Sequence, residues 1–96
     1  MVILAIQNLR SQVLINEYSG ANFSTTTDNF MDTPDWIELY NAGGAAVNLS
    51  NYYLSDKMTN PLKWQCPNIN INPGQRIIFW ASNRNTIVGT NYHTNF

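Results

Sequence analysis

One stretch of the sequence constrains the fold more than any other: residues 35–41 read Asp-Trp-Ile-Glu-Leu-Tyr-Asn. Ile37 and Leu39 fall on one side of an extended chain, and the tryptophan, glutamate and tyrosine beside them fall on the other. This period of two is typical of a β-strand with one buried face, and tryptophan, isoleucine and tyrosine favour strands. We therefore predict a central strand here, around which the rest of the chain packs.

The rest of the chain also consists of short extended segments separated by turn residues. Residues 42–45 contain two glycines and predict a hairpin turn, and Pro73 and Gly74 fit the two central positions of a type II turn. No stretch has helical periodicity over the length that a helix needs. Further extended segments are predicted at residues 13–18, 46–49, 52–55, 63–66, 68–72 and 76–81. Short strands of this kind predict an all-β sandwich or barrel.

The first twelve residues differ in character from the rest. Residues 2–6 are apolar and residues 7–12 are polar apart from one leucine. The apolar run is too short to span a bilayer, which takes about 20 residues, but it matches the second half of a signal peptide. We expect residues 1–12 to be the remnant of a signal peptide or an N-terminal extension, with further residues upstream, and the domain to span residues 13–96. In the alternative interpretation, residues 2–6 form an extra edge strand.

Length and composition limit the number of domains and the classes of partner. Its 96 residues make one domain, and charged residues are only 11% of the chain, well below the average for soluble proteins. The net charge of −1 and the scattered cations give no basic patch, which disfavours nucleic acid as a partner. The single cysteine, Cys66, has no second cysteine for a disulfide or a zinc site. We interpret it as a small buried apolar residue.

Three acids that lie close in sequence, Asp28, Asp32 and Asp35, raise the question of a calcium site. Calcium binds about six to eight oxygens, often from a loop rich in aspartate. The spacing of these acids is not that of an EF-hand, and the loop lacks the glycine that a tight cation loop uses. We favour the alternative that they cap turns and keep the loop soluble, and the sequence does not decide between the two.

Catalytic chemistry finds no support in the sequence. Glu17 and Glu38 are candidate paired carboxylates for glycoside hydrolysis, but we expect them to form ion pairs or hydrogen bonds with Arg76, Lys63 or the loop backbone. His93 is the only histidine, which gives neither a metal triad nor a catalytic relay, and no serine lies in a nucleophile-elbow motif. We predict neither enzymatic activity nor a cofactor.

The aromatic residues, 12% of the chain, are the remaining candidates for a binding function. An exposed row of tryptophan and tyrosine suits stacking on sugar rings or anchoring a protein partner, whereas the alternative is packing within the core. Trp36 and Tyr40 are predicted to share a face with Glu38, and two tyrosines begin the segment at 52–55. The candidate binding residues are therefore Trp36 and Tyr40, or else Tyr52 and Tyr53.

Several motifs follow one another in an order that resembles a known family. They lie at residues 13–17, 35–41, 47–56, 63–64, 71–74 and 93–96. Together they resemble a lamin-tail domain, in the form that recurs in secreted bacterial proteins, which implies an immunoglobulin-like β-sandwich. Lamin-tail domains of this type continue beyond the last motif. We therefore expect a sandwich that lacks its last strands and leaves the core near Ile37, Leu39 and Phe79 uncovered.

The resemblance also implies a broad function, although one fold hosts many roles. It implies a non-catalytic binding or structural module of a larger secreted or cell-surface bacterial protein, which interacts with a protein or a cell-surface polymer. Two alternatives are a carbohydrate-binding module accessory to a hydrolase and an accessory domain of a secreted nuclease. The unpaired edges of an incomplete sandwich would also be a template for strand-mediated self-association.

Overall fold

The chain folds almost entirely into β-strands. A computed structural model describes the backbone of residues 3–6, 13–19 and 27–96. Within these residues the only helical element is a single 3₁₀ turn at Leu49–Asn51. The strands are β1 (Ile3–Ile6), β2 (Val13–Ser19), β3 (Asp35–Asn41), β4 (Val47–Asn48), β5 (Tyr52–Ser55), β6 (Trp64–Gln65), β7 (Asn70–Ile71), β8 (Arg76–Ala81), β9 (Thr86–Val88) and β10 (Asn91–His93). The predicted all-β class is confirmed.

β3 lies inside the largest sheet, as its sequence pattern predicts. This sheet has five strands in the order β2-β3-β8-β10-β9, and a second sheet has three strands in the order β1-β5-β6. β3 pairs antiparallel with β2 on one side and with β8 on the other. The short strands β4 and β7 form a separate two-stranded sheet. Since β3 coincides with the predicted segment, its interpretation as the central strand is confirmed.

The core lies between the five-stranded and the three-stranded sheet. Ile37, Leu39 and Phe79 from the larger sheet are at most 1% exposed, and they join Leu54 and Trp64 from the smaller one in a single cluster. The rings of Trp64 and Phe79 meet edge-on, with centroids 5.9 Å apart. Burial of each such side chain contributes about 1.5–3 kcal/mol. The expectation that the core near Phe79 is uncovered is therefore wrong, because the smaller sheet packs over it.

The connection from β3 to β4 corrects the predicted hairpin at residues 42–45. β4 pairs with β7 and not with β3, so the chain leaves the large sheet at this point. Asn41, which is 0% exposed, stabilises the segment that connects β3 to β4. Its Nδ2 donates to the carbonyl oxygens of Ala45 at 2.8 Å and Ile71 at 2.9 Å, and its Oδ1 accepts from the Gly43 N–H at 2.9 Å. The amide thus replaces the strand pairing that a hairpin would have supplied.

The turn predicted at Pro73 and Gly74 is confirmed. Gly74 has a φ of 77°, which the second central position of a type II turn requires. The Gln75 N–H donates to the Asn72 carbonyl oxygen at 2.9 Å and closes the turn. The hairpin of β9 and β10, which turns at Gly89 with a φ of 61°, is an element that the sequence pattern does not predict.

Residues 3–6 form a strand, as in the alternative interpretation of the N-terminal run. β1 pairs antiparallel with β5 along its whole length, from Ile3 opposite Ser55 to Ile6 opposite Tyr52. It occupies the edge of the three-stranded sheet. The remainder of the first twelve residues lies outside the described residues. That this segment is a processed remnant, and that the domain begins at residue 13, stay predictions.

Candidate functional site

The outer face of the five-stranded sheet carries two of the four predicted binding residues. Directly paired residues on neighbouring strands point to the same side of a sheet, and the side chains opposite Ile37 and Leu39 on β3 point away from the core. We call this surface the β3 face. Its members are Leu14 on β2, Trp36, Glu38 and Tyr40 on β3, and Arg76, Ile78 and Trp80 on β8.

Glu38 and Arg76 form the polar centre of the β3 face. Arg76 Nε lies 3.6 Å from Glu38 Oε1, with the arginine side chain 55% exposed and the glutamate 14% exposed. The guanidinium carbon lies 4.7 Å from the centroid of the Tyr40 ring, and Asn16 Nδ2 donates to Glu38 Oε1 at 2.7 Å. Of the partners predicted for Glu38, the structure therefore places Arg76 beside it. These contacts fix the direction of an exposed cation, although a pair of this kind adds little stability.

Apolar side chains surround this polar centre. Leu14 is 43% exposed, and Trp36 and Ile78 are half-buried. Trp80, the partner of Trp36 across the strands, is only 8% exposed. The β3 face therefore combines partly exposed apolar surface with one oriented ion pair, a composition that suits contact with another macromolecule.

The other two predicted binding residues lie elsewhere. Tyr52 is 2% exposed and belongs to the core, which removes it from the candidate surface. Tyr53 is half-buried and lies on the opposite side of β5 from the buried Tyr52 and Leu54. Since β5 belongs to the three-stranded sheet, Tyr53 does not share a surface with Trp36 and Tyr40. The sequence cannot show this separation because it requires knowing which strand joins which sheet.

A second polar cluster is buried, and no pattern in the sequence predicts it. His93 on β10 is 0% exposed. Its Nε2 lies 2.6 Å from Asn29 Oδ1, and its Nδ1 lies 2.8 Å from Ser82 Oγ. An amide oxygen can only accept, so Nε2 carries the proton and the Ser82 hydroxyl donates to Nδ1. Burial lowers the pKa of the imidazole from 6.5, the nearby Asp28 carboxylate opposes this shift, and Arg84 reinforces it.

Asp28 completes this cluster and orders the loop that precedes β3. Its Oδ1 accepts the backbone N–H groups of Phe30 and Asp32, both at 2.9 Å. Its Oδ2 lies 3.9 Å from His93 Nδ1 and is buried with no hydrogen-bond partner among the described residues. The alternative that these acids cap turns is confirmed for Asp28.

Arg84 closes the loop over the cluster from the solvent side. Its Nη2 donates to Asp32 Oδ2 at 2.6 Å, and its guanidinium carbon lies 4.1 Å from the centroid of the Phe30 ring. The Phe30 ring in turn meets the imidazole of His93 edge-on at 5.1 Å. The cluster thus connects residues 27–34 to the segment after β8 and to β10.

This arrangement holds structure together and does not assemble a recognisable reaction centre. Asp28 already accepts two backbone N–H groups and Asp32 pairs with Arg84, and the described residues contain no group of three or more acids, histidines or cysteines placed to hold a metal ion. Calcium binding by Asp28, Asp32 and Asp35 stays the less favoured of the two alternatives that the sequence leaves open. The serine, histidine and asparagine resemble a nucleophile, a base and its partner in order, but the base is fully enclosed.

Cys66 behaves as the sequence predicts. It is 2% exposed within the core, and burial raises the pKa of its thiol to about 12. The thiolate is the reactive form of cysteine, so this side chain is an apolar packing residue and not a nucleophile.

Comparison with known proteins identifies the family. The family model for the Lamin Tail Domain matches residues 7–96, whereas no curated protein and no solved structure matches the chain. Helices with the length and hydropathy to span a membrane are absent from the described residues. Lamin-tail domains are immunoglobulin-like and generally non-catalytic, which agrees with the two facing sheets and their shared core. The chain belongs to the lamin-tail domain family.

Proposed function

We propose that this chain is a non-catalytic module of a larger secreted or cell-surface bacterial protein, and that it binds a protein or a surface polymer through the β3 face. One observation carries the proposal: the β3 face presents partly exposed apolar and aromatic side chains around one oriented arginine. The family supports it at a coarser level, because lamin-tail domains are structural and interaction domains rather than enzymes.

The β3 face has the rigidity and the residue types of a protein-binding surface. β3 is paired on both sides, so binding there orders little backbone and loses little conformational entropy. Tryptophan, tyrosine and arginine are the residue types that most often dominate interface energetics. Arg76 is already held over Tyr40 and beside Glu38, which reduces the further entropy cost of fixing its long side chain. These features favour a protein over the other classes of partner.

The carbohydrate-binding alternative has a narrower basis. Trp64 and Trp80 are 7% and 8% exposed, so only Trp36 among the tryptophans offers a partly exposed ring. The guanidinium of Arg76 lies 4.7 Å over the ring of Tyr40, where a sugar would otherwise stack. The nuclease-accessory alternative lacks a basic surface, since the chain has a net charge of −1 and binding to nucleic acid depends on phosphate neutralisation.

The proposal is tested with the double variant Trp36→Ala/Arg76→Ala and the control Tyr53→Ala, which removes an aromatic side chain from the other sheet. Each folded protein is immobilised and presented with purified envelope proteins and cell-wall polysaccharides of the bacterium that makes it. We expect the double variant to lose binding at least about tenfold, equal to about 1.4 kcal/mol, and the control to keep it.

Two results would contradict this proposal: binding to neither class of material, or equal binding by the double variant and the unmodified chain. Retention of a purified polysaccharide but of no protein would identify the partner as a surface polymer and overturn the preference for a protein. Export is tested separately by cell fractionation of the full-length protein. Recovery from the cytoplasm alone would overturn the secreted or surface assignment without affecting the binding measurement.

A further inference from the structure

The outer edge of β9 has no neighbour among the described strands. β9 pairs with β10 alone and ends the five-stranded sheet. Its residues Ile87 and Val88 are 50% and 47% exposed. An edge strand presents a row of unpaired backbone donors and acceptors, which can pair with a further strand. The exposed apolar side chains make such pairing more favourable by adding buried area.

Ile87 faces the core side of the sheet, yet the core does not cover it. Ile87 pairs with Tyr92, and Tyr92 pairs with the fully buried Phe79, so all three side chains point to the same side. Ile87 also lines a cleft of about 440 Å³ together with Trp64 and Pro67. The inner apolar layer of the sandwich thus extends beyond the last strand and ends in solvent at β9.

The edge also lacks the devices that normally prevent edge-to-edge pairing. Residues 85–92 contain no charged residue and no proline, whereas exposed edges are usually protected by lysine, proline or a bulge. Threonine, isoleucine and valine, the three residues of β9, have high strand propensity. By contrast β2, at the other end of the sheet, includes Glu17.

We propose that two copies of this chain associate through β9, which pairs antiparallel with its own copy about a two-fold axis at Ile87. In this register Ile87 lies opposite Ile87 of the second copy, and Thr86 lies opposite Val88. The two sheets become one continuous sheet, and the paired isoleucines close the cleft on the core side. The edge of β9 is not part of the β3 face, so this association is independent of the function proposed above.

A second copy suits this edge because two-fold symmetry places each residue opposite itself or its mirror position. A charge on β9 would therefore meet its own like charge, and β9 has none. The pairing is short, and it buries far less than the roughly 1,600 Å² of a standard interface. We therefore expect a weak dimer that forms only at high protein concentration.

Sedimentation equilibrium at protein concentrations up to about 1 mM, high enough to populate a weak dimer, tests the association. The unmodified chain is compared with the variants Ile87→Lys and Leu62→Lys. Both replace an apolar residue of similar exposure, 50% and 49%, but only the first places two like charges at the symmetry axis. We expect Ile87→Lys to weaken the dimer more than tenfold and Leu62→Lys to leave it unchanged. A monomer at every concentration, or a dimer unaffected by Ile87→Lys, would refute the pairing.

Disulfide trapping tests the register and does not require the lysine variant to fold. Residues directly opposite in an antiparallel pair have Cα atoms about 4.5–5.5 Å apart, within the range that a disulfide spans. Under oxidised glutathione, Ile87→Cys should give a covalent dimer, whereas Val88→Cys, which lies opposite Thr86, should give much less. The native Cys66 is buried and its thiol has a raised pKa. Cross-linking of the unmodified chain therefore measures the background. Equal cross-linking by both variants would contradict the register.

Discussion

At the scale of single residues, buried polar side chains determine how distant parts of this chain are joined. Asn41 satisfies three backbone groups where the chain leaves the large sheet. His93 joins Asn29 and Ser82 through its two ring nitrogens. Such groups are costly to bury without partners, so each one specifies a single arrangement of the segments around it.

The buried His93 makes the stability of the fold depend on pH. Its folded-state pKa lies below the ordinary value of 6.5 because the imidazole is desolvated. Between the two values the unfolded chain binds the proton and the folded chain does not, so acid favours unfolding. We expect the free energy of unfolding to be constant above about pH 7 and to fall as the pH drops below 6.5, measured by urea denaturation from pH 8 to 5.

His93→Gln supplies the control for this dependence, since glutamine can form hydrogen bonds but does not titrate. His93 is the only histidine in the chain, and carboxylates titrate mainly below this range. We therefore expect the variant to be less stable at pH 7.5 but nearly flat between pH 7.5 and 5. An unmodified protein whose stability does not change, or rises, on acidification would contradict the neutral buried imidazole.

Some residue contacts follow from the sequence and others do not. The burial of Cys66 was predictable, and Arg76 was one of the three kinds of partner predicted for Glu38, because strand alternation and side-chain chemistry restrict the choices. The His93 cluster was not, since its partners lie 64 and 11 residues away in the chain. A lone histidine gives no pattern to recognise. Only the packing of the loop before β3 against β10 brings Asn29 to its ring.

At the scale of elements, predictability follows length and periodicity. β3 has seven residues with a clear period of two, and β8 has six residues that are mostly apolar on both faces. Both were predicted at their observed bounds. β9 and β10 have three residues each, too few to show a period, and they are strands because they pair with each other and with β8. The same limit explains the wrong hairpin after β3, because two glycines indicate a turn but not the partner of the next strand.

The turn between β7 and β8 provides a matched pair of glycine substitutions. Gly74 has a φ of 77°, Gly44 has no such constraint, and an added Cβ at either position meets nothing within 4 Å. Gly74→Ala therefore changes backbone strain alone and should cost about 1–2 kcal/mol. For a domain of this size that lowers Tm by roughly 5 °C or more. Gly44→Ala should be neutral or slightly stabilising, and an equal loss in the two variants would rule out the type II turn.

At the scale of the whole molecule, the two sheets of the sandwich share one core. Short alternating strands and frequent turns were enough to predict the class, and the order of motifs was enough to predict the family. The exposure of the aromatic residues was not predictable in the same way. Tyr52 and Tyr53 are neighbours of the same type, yet one is core and the other is half-buried. Which side of β5 faces the larger sheet depends on the packing of the two sheets.

Adjacent residues on β8 test whether the core between the sheets controls stability. Phe79 is fully buried against Trp64 and Tyr92, whereas Ile78 points to the outer face and is half-buried. Phe79→Ala should cost about 3–5 kcal/mol through lost burial and the remaining cavity. This is a large share of the 5–15 kcal/mol that stabilises a typical domain, about the whole of it at the low end. Ile78→Ala should cost distinctly less, because part of its surface is already in water.

Urea unfolding of both variants, followed by tryptophan fluorescence and far-UV circular dichroism, measures the difference. If one core joins the two sheets, both probes should report a single transition that shifts together in each variant. Should Phe79→Ala prove too unstable to fold, Phe79→Leu keeps most of the apolar volume and gives a smaller loss in the same direction. Equal losses for the two positions, or probes that separate into two transitions, would mean that the sheets do not stabilise each other through Phe79. A larger loss for Phe79→Ala, with one transition in both probes, would mean that the buried layer beneath the β3 face stabilises the domain. The side chains of the β3 face would then be available for a partner.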